Sequence, residues 1–95
     1  MFKVIRKVWP NARGEVIGEF ESEEDAAQLI EQQITSDEAH LRALYGDAVQ
    51  GPIKAPYVSK DTKTLYGYEV YARINGQIAG AVECWANAPL KPLDP

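Results

Sequence analysis

The side chains able to carry out chemistry are few in this sequence. His40 is its one histidine and Cys84 its one cysteine. A cysteine nucleophile needs an imidazole to take its proton and a third group to orient that imidazole. Nothing in the spacing of His40 and Cys84 places them together. His40 precedes Leu41 on a helical repeat and reads as solvent-facing, whereas Cys84 reads as a small packed side chain. A structural zinc site wants four Cys or His ligands, and the chain has two such residues in all. Glu21, Glu23, Glu24 and Asp25 lack the alternation and central glycine of a calcium loop, and suit the start of a helix instead. Glu69 and Glu83 could form the carboxylate pair of a glycosidase. The hairpin register puts them on opposite faces, which argues against that pairing. The expectation is therefore a protein that is not an enzyme and holds no metal or cofactor.

These residues lie on a simple series of elements. Phe2 to Trp9 reads as a strand, with Phe2, Val4 and Val8 on one face and Lys3, Ile5, Lys7 and Trp9 on the other. A turn at 10–14 leads to a second strand, Glu15 to Phe20, with Val16, Gly18 and Phe20 facing one way. At Ser22 the period changes. Ser22-Glu23-Glu24-Asp25 resembles a capping box, and Ala26, Ala27, Ile30 and Ile34 form an apolar stripe. Thr35-Ser36-Asp37-Glu38 resembles a second capping box, followed by Leu41, Leu44, Tyr45 and Ala48. Two helical segments are predicted, about 23–34 and 37–45, separate or joined, with Gly46 ending the second. From Gly46 to Pro56 the chain reads as irregular, broken by Gly51-Pro52 and Pro56. Tyr57-Val58 is a candidate edge strand, and Lys60 to Lys63 a polar turn.

The clearest pattern is a hairpin. Thr64 to Ile74 and Gln77 to Trp85 read as strands joined by Asn75-Gly76, a pair suited to the positive φ of a type I′ turn. That two-residue loop fixes the register: Ala72 falls opposite Ala79, Val70 opposite Ala81, Tyr68 opposite Glu83 and Tyr66 opposite Trp85. This face, small at its centre, is assigned to the core against Ile30, Ile34, Leu41 and Leu44. The other face carries Glu69, Tyr71, Arg73, Ile78, Val82 and Cys84. It is too apolar for a plainly solvated surface and too charged for a core, a composition found at interfaces. Tyr71, Arg73, Ile78, Val82 and Glu69 are therefore candidate partner-binding residues, unless residues 1–20 or 46–63 cover them.

The net charge of −4 is unevenly spread. Residues 1–14 hold four bases and no acid. Residues 15–47 hold ten acids against Arg42 alone. An acidic chain is a poor candidate for direct nucleic-acid binding, because phosphate contacts need clustered Lys and Arg. The acidic block, with Glu23, Glu24, Glu31 and Glu38 on the helical layer, is either a solvated face or a docking surface for a basic partner. No apolar run approaches the length of a membrane span, and Met1 leads into Phe2-Lys3-Val4-Ile5-Arg6, too short and too charged for a signal core. With no disulfide possible, a reducing, cytoplasmic setting is expected.

The 95 residues should form one α+β domain over 1–88, an antiparallel sheet of about four or five strands with one helical layer in the order ββα(α)(β)ββ. Residues 89–95, with Pro89, Pro92 and Pro95, read as an extended tail. In size, acidity and layout the chain is similar to many small phage-encoded inhibitor proteins, some of which block bacterial defence complexes. That resemblance implies a non-enzymatic module that occupies a partner's surface, such as a basic nucleic-acid-binding complex. The alternative is a structural or regulatory homo-oligomer, a homodimer for instance, joined through the second hairpin face or a sheet edge.

Overall fold

The computed structural model describes residues 1–11, 13–55 and 63–88. It has the α+β architecture expected: strands β1 (Phe2–Val8) and β2 (Glu15–Phe20), helix α1 (Glu23–Tyr45), a 3-10 turn at Gly46–Ala48, and strands β3 (Val49–Ala55), β4 (Lys63–Ile74) and β5 (Gln77–Ala88). The strands form one antiparallel sheet in the order β2-β1-β5-β4-β3. The first and last strands are thus neighbours, and the β4–β5 hairpin lies inside the sheet. The candidate strand at Tyr57-Val58, the turn begun at Lys60 and the 89–95 tail lie outside the described residues. Lys63 already belongs to β4.

Helix α1 begins where the sequence indicates. The Ser22 hydroxyl accepts from the Asp25 backbone N–H at 3.1 Å, with three acids in the first turn, and Gly46 closes the helix at φ 60°. The second capping box does not start a new helix. Thr35 donates back to the Glu31 carbonyl, and Asp37 turns inward, so α1 runs unbroken through both segments. Ala26, Ile30, Ile34 and Leu41 bury against the sheet. Leu44, assigned to the core on periodicity, is instead 61% exposed, the stripe having rotated past it to Tyr45.

Two further expectations are corrected. Residues 49–55 are not irregular but form the edge strand β3, with Gly51-Pro52 as an extra-residue bulge between the pairs Gln50↔Tyr71 and Ile53↔Glu69. A proline can sit there because an edge strand need not donate outward. The hairpin does turn at Asn75-Gly76, with φ 54° and 78°. Its register then slips: Arg73 pairs with Ile78, but Ala72 pairs with Gly80, leaving Ala79 as a bulge in β5. A one-residue slip exchanges the faces of every later residue. The core side of β5 is therefore Gly80, Val82, Cys84 and Ala86, opposite Ala72, Val70, Tyr68 and Tyr66. Ala81, Glu83 and Trp85, expected in the core, lie on the other side. A similar bulge at Ile17 puts Val16, expected alongside Gly18, on the face of Ile5.

The bulge at Ala79 has a visible cause. The Tyr45 hydroxyl, at the end of α1, donates to the Ala79 carbonyl at 3.0 Å. Beside it Gly80 meets the helix so closely that a Cβ would lie 2.8 Å from the Tyr45 ring.

Candidate functional site

The helix-facing side of the sheet contains a buried polar cluster. Asp37, 3% exposed, is the charged residue of the core and not, as its place in the acidic block suggests, part of a solvated face. It accepts from Arg6 Nε and a guanidinium nitrogen at 3.1 and 2.7 Å, from Gln33 at 3.1 Å and from the Tyr68 hydroxyl. The hydrogen bond to Asp37 is the main reason that the Arg6 pKa is raised. Burial, then the bond to Asp37, raises that of Tyr68. Cys84 lies beside them, its thiol pushed up to about 12 chiefly by burial. Such a thiol supplies almost no thiolate near neutrality and is a poor nucleophile. His40 is exposed while Cys84 is fully buried, so they form no catalytic pair. Among the described residues every buried side-chain nitrogen and oxygen has a hydrogen-bond partner, so this cluster holds helix to sheet and is already satisfied. Among those residues, too, no group of three or more His, Cys, Asp or Glu is placed to hold a metal ion, and no helix is long and apolar enough to cross a membrane.

The sheet's other side presents a different surface. α1 covers one face only, and the pairing places on the opposite face Val16, Ile5, Trp85 and Gly67 in one cross-strand row. The next row holds Lys7, Glu83, Glu69 and Ile53, and the one after it Ala81, Tyr71 and Gln50. Arg73 and Ile78 follow beside the turn. Val16, Ile53 and Ile78 are 49%, 47% and 43% exposed. Lys7 lies 4.9 Å over the Trp85 ring, and the Arg73 guanidinium 5.4 Å over Tyr71. Beyond Lys7, Trp9 donates its backbone N–H to the Ala81 carbonyl. Trp9, Pro10 and Asn11 wall a concavity of about 310 Å³ above Glu69, Ala81 and Glu83.

Of the partner-binding candidates, Glu69, Tyr71, Arg73 and Ile78 come together on this outer face. Val82 does not: it is 4% exposed and faces α1, because the Ala79 bulge turned it inward. The same slip overturns the separation of the two glutamates. Glu69 and Glu83 are direct cross-strand partners. They stand side by side, half-buried, at the floor of the concavity walled by Trp9, Pro10 and Asn11. A glycosidase needs its pair flanking the scissile bond, with one carboxyl kept protonated by a dry surrounding. The helix candidates split differently. Glu31 pairs with Lys54 at 2.7 Å and Glu38 with Arg42 at 3.0 Å, so both are partly neutralised within the chain. Glu23 and Glu24 are exposed at the helix start. Sequence reasoning missed Lys7, Trp9 and Glu83 as members of the outer face. Alternation already put Lys7 and Trp9 opposite Val4, which was the available signal.

Comparison with known proteins gives no family: no family model, curated protein or solved structure matches the chain.

Proposed function

We propose that the chain is a non-enzymatic protein-binding module that docks through the outer face of its sheet. One observation carries this reading: α1 covers only one side, and the other bears Tyr71 and exposed aliphatic residues among interspersed charges. Aromatic and arginine side chains amid aliphatics are the usual composition of interface centres. The face holds Lys3, Lys7 and Arg73 against Glu19, Glu69 and Glu83, so its complement is a surface of mixed charge and not a uniformly basic one. The test is a photocrosslinking residue at position 71, compared with one at position 24 on the helix. Adducts at 71 that vanish in Ile78→Asp, with the fold intact, are expected. Adducts at 24 alone refute the sheet-face reading.

A second reading rests on the helix start, where Glu23, Glu24 and Asp25 are exposed and, among the described residues, make no ion pair. In it the acidic side meets a basic partner, such as a nucleic-acid-binding complex of the kind that phage inhibitors block. Binding would then weaken steeply with added salt and with Glu24→Lys.

A further inference from the structure

We propose that the occupant of the outer face is a second copy of this chain, related by a two-fold axis that crosses β4 at Tyr71. The inference rests on the docking reading above. Along β4 the outer residues read Glu69, Tyr71, Arg73. The acid and the base each lie two residues, or about 7 Å, from the tyrosine. A rotation of 180° about an axis running across the strands at Tyr71 carries residue 69 of one copy onto residue 73 of the other. Tyr71 meets its counterpart, and two Arg73–Glu69 pairs form. This is the self-complementarity that an isologous interface requires. Among the described residues neither Glu69 nor Arg73 has an ion pair in the single chain, so both remain available.

The charge distribution selects the same face. Two copies of net charge −4 must meet where their fields do not repel. α1 carries six acids against Arg42, whereas the outer face is balanced at three and three. Glu69 and Glu83 are like charges directly opposite, an arrangement that costs stability in a lone sheet. An incoming guanidinium relieves it. The edges offer no competing route. β3 is interrupted by Gly51-Pro52, and β2 is six residues long and bears exposed Glu15 and Glu19. An axis at Tyr71 overlaps chiefly the rows from Glu69 to Arg73, a small contact of the kind that gives a weak, reversible association.

The test is sedimentation equilibrium of the full chain, with circular dichroism to check folding. The wild type is expected to reach twice its 10.6 kDa chain mass at micromolar to submillimolar concentration. Arg73→Glu and Glu69→Arg should each raise the dissociation constant about 100-fold, since either reversal sets two pairs of like charges together. The double variant should return to near the wild-type value, while Glu24→Lys leaves it unchanged. Independently, Tyr71→Cys should form a disulfide-linked dimer under mild oxidation, Cys84 being buried, whereas Glu24→Cys should not. A wild type that stays monomeric, folded single variants that still dimerise, or a folded double variant that does not recover overturns the inference. If the chain is monomeric and position 71 crosslinks to a different protein, the docking reading survives without the second copy. If position 71 crosslinks to nothing, both fall.

Discussion

Asp37→Ala tests whether the buried cluster holds helix to sheet. Asp37 takes four hydrogen bonds, two from Arg6 and one each from Gln33 and Tyr68. Removing one partner of a buried ion pair costs about 3–5 kcal/mol, because the remaining charge is stranded. The Arg6 side chain is 25% exposed, so water can partly resolvate it, which pulls that cost toward the lower bound. The Tyr68 hydroxyl belongs to a fully buried residue, and an orphaned buried donor adds about 1–3 kcal/mol, not fully additive with the first loss. The expected total is about 4 kcal/mol, a large share of the roughly 5–15 kcal/mol that stabilises a domain. In a domain this small it should lower Tm by about 15–30 °C. Urea and thermal unfolding followed by circular dichroism measure it, beside Arg6→Met and the double variant. The double variant should be less damaged than the sum of the singles, since it leaves no stranded charge. A loss below about 1 kcal/mol for Asp37→Ala, or simple additivity with Arg6→Met, would refute the reasoning.

Three further perturbations follow from the same contacts. Tyr45→Phe removes the donor to the Ala79 carbonyl and should cost about 1 kcal/mol in urea unfolding, with faster amide exchange confined to the residues around the bulge; unchanged exchange there would show that Tyr45 does not hold the bulge. The Cys84 pKa is raised from 9.0 to about 12, so between those values the folded state keeps a proton that the unfolded state loses, and stability falls as pH rises through the window. Cys84→Ala should flatten the early part of that decline, leaving the later loss due to Tyr68; an unaltered alkaline limb measured by urea unfolding would contradict it. Glu69→Gln should stabilise the monomer by about 0.3–0.5 kcal/mol by removing a like charge opposite Glu83, since its other neighbour is Ile53, and a destabilisation would count against the register.

The elements and fold class were largely legible in the sequence because local chemistry decides them: Ser22 caps, Asn75-Gly76 turns, and alternation marks β1. The candidate site was legible on β4, where Glu69, Tyr71 and Arg73 fall outward whichever residues they pair with, and at Ile78, which lies between the turn and the slip. The extra residues at Ile17, Gly51-Pro52 and Ala79 carry no local signature strong enough to mark a bulge. Gly80 read as part of the hairpin's other, mixed face, opposite Tyr71. Its close approach to Tyr45 depends on where a helix ends 35 residues earlier, and that is information from tertiary packing. For the same reason Asp37 looked like a solvated acid: its partners lie on β1 and β4, far off in sequence.

The bulge at Ala79 therefore joins the core to the surface. Without it, β5 would turn Glu83 and Trp85 toward α1 and Val82 and Cys84 outward. A carboxylate and an indole would then compete for space beside Asp37, where Cys84 now fits without exposure. The Tyr45 bond to the Ala79 carbonyl and the close fit of Gly80 hold the slipped register, which keeps a second carboxylate away from Asp37. That register sets Glu83 opposite Glu69 and leaves Ala81 beside Tyr71. The composition of the outer face thus follows from the register set at Ala79. A variant that removes the bulge, such as deletion of Ala79, should disturb both at once: it should lose stability through Asp37 and lose whatever binding the outer face supports. If such a deletion kept full stability, the coupling between buried cluster and surface would be absent.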